Sequence, residues 1–391
     1  MCALITAALT LMATPAPAYA DDIRSQQWYL EDLRVSTAWR YAKGKNIVVA
    51  VLDSGVDASH PDLEGKVLPG ADFVDGNGDD QGDGRTDTVG HGTTVAALIA
   101  GDDDEAGIVG IAPQARILPV RVLDQENRYR DAQTVADGLR WAVDHGARVV
   151  NMSLGGSVAS PELADAIQYA YDHDVVVVAC AGNLTEDGET QIWYPAREPG
   201  VIAVTGLTSD MTFWEGSLSG PESVLAAPAA DLIGARPGGY WKVEGTSFAA
   251  PIVAGTAALI RSHWPDMSAA NVVNRLIQTA RDLGPSGRDQ KYGFGVVDPV
   301  RALTNPVTSV RHNPLDTTPR TVEPSVSWSA SQQPHAAAAA QHSESSPWLW
   351  VGLGGFAAIV SVGTGVVLVA LRRRRNPQAA YSPPLVWPHH R

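Results

Sequence analysis

The chain has 391 residues, 45% of them apolar, and a formal net charge of −14. That length suits one large domain with appendages. The acidic balance, with no basic stripe to neutralise phosphates, excludes a nucleic-acid partner. Only Cys2 and Cys180 are available for sulfur chemistry, which excludes a disulfide framework as the source of stability.

In chain order, residues 1–20 are apolar and end in Ala18-Tyr19-Ala20 before Asp21. A small-x-small site after an apolar run predicts a secretory signal peptide. The basic residues that usually open such a segment are missing, because Arg24 is the first Lys or Arg. Residues 21–45 form an N-terminal extension. From 46 to 303, short β-branched runs alternate with helical patterns. Ile47–Leu52, Ile117–Leu123, Val149–Met152, Val175–Ala179 and Val201–Val204 read as parallel strands covered on both faces. His91–Ala100, Asp131–His145, Pro161–Asp172 and Ser247–His263 read as helices. The alternation predicts a three-layer α/β domain with a mostly parallel sheet. Cys180, after one of these runs, reads as a buried small hydrophobe.

Residues 304–346 are rich in Pro, Ser, Thr and Ala, a composition unable to bury enough apolar surface to fold alone, and read as a linker. Residues 347–371 are uncharged, and about 20 such residues span a bilayer, so one C-terminal transmembrane helix is expected. Trp348 and Trp350 suit one interface and Arg372–Arg375 the other. Positive flanks stay cytoplasmic, which puts the tail 372–391 inside and everything before the span outside the cell membrane.

Three motifs carry chemistry. Asp53 follows the first strand in Val-Leu-Asp-Ser-Gly, at the carboxyl end where ligand sites of such sheets lie. His91 stands in Gly-His-Gly-Thr. Ser247 stands in Gly-Thr-Ser-Phe-Ala-Ala-Pro and opens a helix. Pro251 is placed in that helix's first turn, where a missing N–H costs little. A serine hydroxyl is a weak nucleophile until a base removes its proton. His91 is the candidate base, and Asp53 the group that orients and stabilises its imidazolium. Asn183, in Cys-Ala-Gly-Asn after the strand at 175–179, offers an amide to an oxyanion, with the Ser247 backbone N–H as second donor.

The order Asp, His, Ser separates unrelated folds that build this site. In these motifs the chain resembles the subtilisin-like serine proteases, the subtilases, over about residues 26–303. The resemblance implies a serine endopeptidase acting on protein or peptide substrates, with no cofactor required. It also assigns Ser153, Leu154, Gly155 and Gly156 to the substrate-binding edge, where an extended peptide pairs with the backbone. Trp193-Tyr194-Pro195-Ala196 matches a segment near the family's primary specificity pocket. Thr94 stands where most subtilases carry a second histidine, and Phe248 where a Met is frequent, narrowing the pocket.

Many subtilases bind calcium, and the Asp- and Gly-rich run at 72–87 resembles a calcium loop. It lacks a closing Glu at the required distance, so it reads as a solvated loop, with calcium as the alternative and no metal ligand assigned. Residues 21–45 are too few for an inhibitory propeptide domain. That shortness, together with the membrane anchor, resembles the mycosins, membrane-anchored subtilases associated with type VII secretion. The expected role is processing of exported proteins, and the alternative is a scaffold subunit that stabilises a membrane secretion complex without proteolysis.

Overall fold

The computed structural model describes residues 20–74, 82–104, 107–184, 188 and 190–317. The expected signal peptide apart from Ala20, the transmembrane segment 347–371 and the tail lie outside the described residues. Among the described residues no helix is long and apolar enough to cross a membrane.

Three short helices lead in: α1 (Ala20–Ser25), α2 (Tyr29–Asp32) and α3 (Val35–Ala38). The strands β1 (Val48–Asp53), β2 (Ala71–Asp72), β3 (Arg116–Arg121), β4 (Val149–Met152), β5 (Val176–Cys180), β6 (Ile202–Leu207) and β7 (Leu225–Pro228) form one sheet in the order β2-β3-β1-β4-β5-β6-β7. Every pairing in it is parallel. Parallel strands covered on both faces need apolar residues at successive positions, and β4, β5 and β6 are buried throughout. A hairpin of β8 (Leu232–Arg236) and β9 (Gly239–Val243) follows, and it is antiparallel.

The principal helices are α4 (His91–Ala100), α5 (Ala132–Asp144), α6 (Pro161–Asp172), α7 (Thr246–His263), α8 (Ala269–Thr279) and α9 (Pro299–Thr304). On one side α7 packs against α4 and strands β4–β7, while α5 and α6 pack on each other and reach β1, β3 and β5. α4 is buried at all its positions and α7 nearly so, as befits helices apolar all round rather than on one stripe. α5, α6 and α8 start at Asp131, Ser160 and Ser268, whose side chains each accept a backbone N–H of the first turn and satisfy a donor the helix leaves open.

The folded body extends past both ends of the 46–303 segment. Tyr29, Val35 and Ala38 are fully buried, Gln27 exchanges two hydrogen bonds with the Val109 backbone, and Arg34 pairs with Asp298 at 2.6 Å. At the other end the Asn271 and Asn274 amides donate to the carbonyls of Val310 and Thr308, which seats residues 304–310 along α8.

The sheet's strand order reverses direction between β3-β1 and β4. That places a crevice beyond the carboxyl ends of β1 and β4, where Asp53 and Ser153 lie.

Candidate active site

Asp53 is the last residue of β1 and is fully buried. His91 opens α4 and is 2% exposed. Its Nδ1 lies 2.7 Å from Asp53 Oδ1, which also accepts the Ser54 N–H at 2.8 Å. Asp53 Oδ2 is buried with no partner among the described residues. The bond to Asp53 leaves His91 Nε2 as the ring's other basic position. α4 approaches β1 this closely because of Gly92: a Cβ there would stand 2.0 Å from the Gly55 carbonyl oxygen.

Asp87 is a part of the site that the motif reading missed. It is 6% exposed and takes five hydrogen bonds. Oδ1 accepts from Ser54 Oγ, Val89 N and Gly90 N, and Oδ2 from Thr93 N and Thr93 Oγ1, at 2.7–3.0 Å. Ser54 Oγ in turn accepts the Gly92 N–H at 3.1 Å. One carboxylate thus fixes the turn that presents His91. An aspartate four residues before a Gly-His-Gly helix start, among glycines that cannot cap it, was the available signal.

The sequence placed Asp87 in a solvated loop. Residues 75–81 of that loop lie outside the described residues. At its described ends the carboxylates are already used, Asp72 by Arg121 and Asp87 by its five donors. Among the described residues no cluster of three His, Cys, Asp or Glu could bind a metal ion.

Ser247 is the second residue of α7. Its Oγ donates to the Ser153 carbonyl at 3.3 Å, and Ser153 Oγ donates back to the Ser247 carbonyl at 2.6 Å. Among the described residues Ser247 Oγ makes no hydrogen bond with His91. Pro251 sits one turn deeper in α7 than expected from the sequence. Its missing N–H would have bonded the Ser247 carbonyl four residues earlier. Ser153 Oγ supplies that donor instead, so the proline ties the serine to the end of β4.

Asn183 is held by its acceptor: Oδ1 takes Thr246 N at 2.9 Å and Thr246 Oγ1 at 3.0 Å. Among the described residues that leaves Nδ2 as the free donor, close to Gly245. The Phe248 N–H returns to Gly245 O, so at the start of α7 the Ser247 N–H is left open among the described residues.

In the 153–156 segment, Gly156 and Tyr194 exchange two backbone hydrogen bonds at 2.8 and 3.0 Å. Gly156 is therefore already paired, and Gly155 keeps its backbone groups open among the described residues. Phe248 is fully buried with its ring centroid 5.4 Å from the His91 ring, so it backs the imidazole. Thr94 Oγ1 donates to Gly90 O and Ala235 O, which joins α4 to the β8–β9 hairpin. Cys180 is fully buried, and burial pushes its thiol up to about 11 against weaker, opposing hydrogen bonds from Ser247 and Thr246.

A buried carboxylate bonded to an imidazole, near a serine opening a helix at the carboxyl end of a parallel sheet, supplies the groups a serine hydrolase requires. The Subtilase family pattern matches residues 44–295, and the chain belongs to this family of serine endopeptidases. It is 37% identical to fervidolysin of Fervidobacterium pennivorans over 321 residues, 74% of this chain but 45% of fervidolysin's length. It is 40% identical to subtilisin DY of Bacillus licheniformis over 258 residues, 66% of this chain and 90% of that protein. Among solved structures it resembles MycP1 from the ESX-1 type VII secretion system, with a TM-score of 0.66 and 30% identity, over 78% of this chain and 91% of MycP1. The mycosin likeness expected from the sequence is thus also a likeness of structure.

Proposed function

We propose that the chain is a membrane-anchored serine endopeptidase that processes exported proteins through an Asp53–His91–Ser247 triad. The 2.7 Å bond between His91 Nδ1 and the buried Asp53 carboxylate carries the reading. It holds the imidazole with Nε2 available as base. Rotation of Ser247 about χ1 breaks only a 3.3 Å bond to a carbonyl, a small cost, and the triad requires it to bring Oγ to Nε2. As Oγ attacks the scissile carbonyl, His91 takes its proton and Asp53 stabilises the imidazolium. Negative charge on the carbonyl oxygen is met by Asn183 Nδ2 and the Ser247 N–H. His91 then protonates the leaving amine, and water attacks the acyl-enzyme by the same path in reverse. The open backbone at Gly155 suits pairing with an extended substrate. No step uses a cofactor.

The uncharged run at 347–371 and the arginines that follow support an anchor with the catalytic domain outside the cell. The MycP1 likeness supports work beside a type VII secretion complex. A fluorophosphonate probe on membranes should label the wild-type chain and not Ser247→Ala; equal labelling of both would sink the triad. Comparing the termini of exported proteins between those two strains identifies substrates. If the termini are unchanged while export still needs the protein, the scaffold role is the correct one.

A further inference from the structure

The segments 153–156 and 181–183 flank Ser247. Ser153 bonds its hydroxyl and carbonyl, and Asn183 bonds the adjacent Thr246. On the triad reading above, a substrate that pairs with the open backbone at Gly155 would direct the side chain beside the attacked carbonyl into the slot between these two backbones.

Trp193 stands in that slot. Its backbone N–H donates to Ala181 O at 2.9 Å, and the next residue, Tyr194, is doubly bonded to Gly156, so the 193–194 backbone joins both walls. The indole touches both as well. A Cβ built on Gly155 would lie 3.0 Å from Trp193 Cβ and 3.3 Å from Cε3. One built on Gly182 would lie 2.5 Å from Cδ2 and 2.7 Å from Cγ. Leu218 Cδ1 lies 2.8 Å from that same Gly182 position. Trp193 is only 8% exposed, so the ring is packed into the wall, not laid across the surface.

We propose that the Trp193 indole fills the primary specificity pocket, so that the protease cleaves after glycine, alanine or serine and rejects aromatic and long aliphatic side chains. A close-packed wall does not absorb a ring-sized insertion without moving. One methylene in such a pocket already changes kcat/KM by about 10–200-fold. A phenyl against a methyl should therefore cost on the order of 100-fold or more.

The test uses the full-length chain in detergent and quenched peptides that differ only at the residue before the cleaved bond. Wild type should cleave after alanine at least ~100-fold better than after phenylalanine. Trp193→Gly, and Trp193→Val if the glycine variant is poorly folded, should raise kcat/KM for phenylalanine at least ~10-fold without improving alanine. Wild-type cleavage after phenylalanine or leucine within about threefold of alanine overturns the proposal, with no variant needed. So does an unchanged profile in a folded Trp193 variant. Fluorophosphonate labelling separates the two readings. A chain that labels at Ser247 but does not discriminate overturns the filled pocket alone, whereas one that neither labels nor cleaves any peptide overturns the triad, and the pocket with it.

Discussion

Replacing Asp87 by asparagine removes the charge that organises the turn before His91 and leaves the shape nearly unchanged. Asparagine keeps one oxygen, able to serve the three donors now on Oδ1: Ser54 Oγ, Val89 N and Gly90 N. Its NH2 group then faces the Thr93 N–H, a donor against a donor. Thr93 Oγ1 already accepts the Asp57 N–H at 2.9 Å, so it is poorly placed to absorb the change. An unpaired buried N–H costs about 1–3 kcal/mol, and each bond that loses its charged acceptor gives up about 1 kcal/mol. The total, about 4–6 kcal/mol, is a large part of the ~5–15 kcal/mol that holds a typical domain. Melting should fall by roughly 10–20 °C. Activity should fall as well, because Ser54 links Asp87 to Gly92 while its N–H holds Asp53. A displaced imidazole should lower kcat about 10- to 100-fold. Thermal unfolding by circular dichroism, with kcat normalised to fluorophosphonate-labelled sites, measures both effects. A melting point within about 3 °C of wild type, together with unchanged kcat, would mean that the Asp87 charge does not organise this turn.

Asp53→Asn, which keeps the size but favours the wrong imidazole tautomer, should lower kcat about 10⁴-fold with little change in KM, read by steady-state kinetics. Asn183→Ala should lower kcat about 100- to 1000-fold, the range the handling of one oxyanion donor gives in subtilisin itself. Since Asn183 also holds Thr246, some loss of thermal stability should accompany it. Cys180 has a folded pKa raised from 9.0 to about 11, so its contribution to stability is fully present below pH 9 and lost as pH rises from 9 through 11. The loss is on the order of 2–3 kcal/mol, and Cys180→Ala should flatten denaturant-measured stability over that window. Tyr29→Ala should cost about 3–5 kcal/mol in chemical denaturation, because Tyr29 is fully buried; a negligible cost would mean that the lead-in only rests on the body.

Some elements were legible to the residue. His91–Ala100 and Val149–Met152 emerge as read, since their positions are buried without interruption and the neighbouring residues are turn formers. Others escaped. β7 is four residues, Leu-Ala-Ala-Pro, too short and too rich in alanine to announce a strand. The β8–β9 hairpin carries an exposed Trp241, so its pattern mixes faces. α8 had a usable signal, a capping Ser268 ahead of Val272, Val273, Leu276 and Ile277 at helical spacing. The lead-in at 23–38 reads as an extension because it shows no strand or long helical pattern, yet Ile23, Tyr29, Leu33, Val35 and Ala38 join the core.

What the sequence determined by itself was the chemical inventory and its order: a carboxylate, an imidazole, a hydroxyl and an amide, each in a setting of small residues. Side-chain identity defines such an inventory, and identity is local information. The tertiary structure decided which groups answer one another across the chain: Asp87 gathering five donors, Ser153 replacing the bond that Pro251 removes, and an indole lodged between two glycines. These are matters of volume and donor counting among residues up to 94 positions apart. They arise only when the sheet and helices bring those backbones into contact.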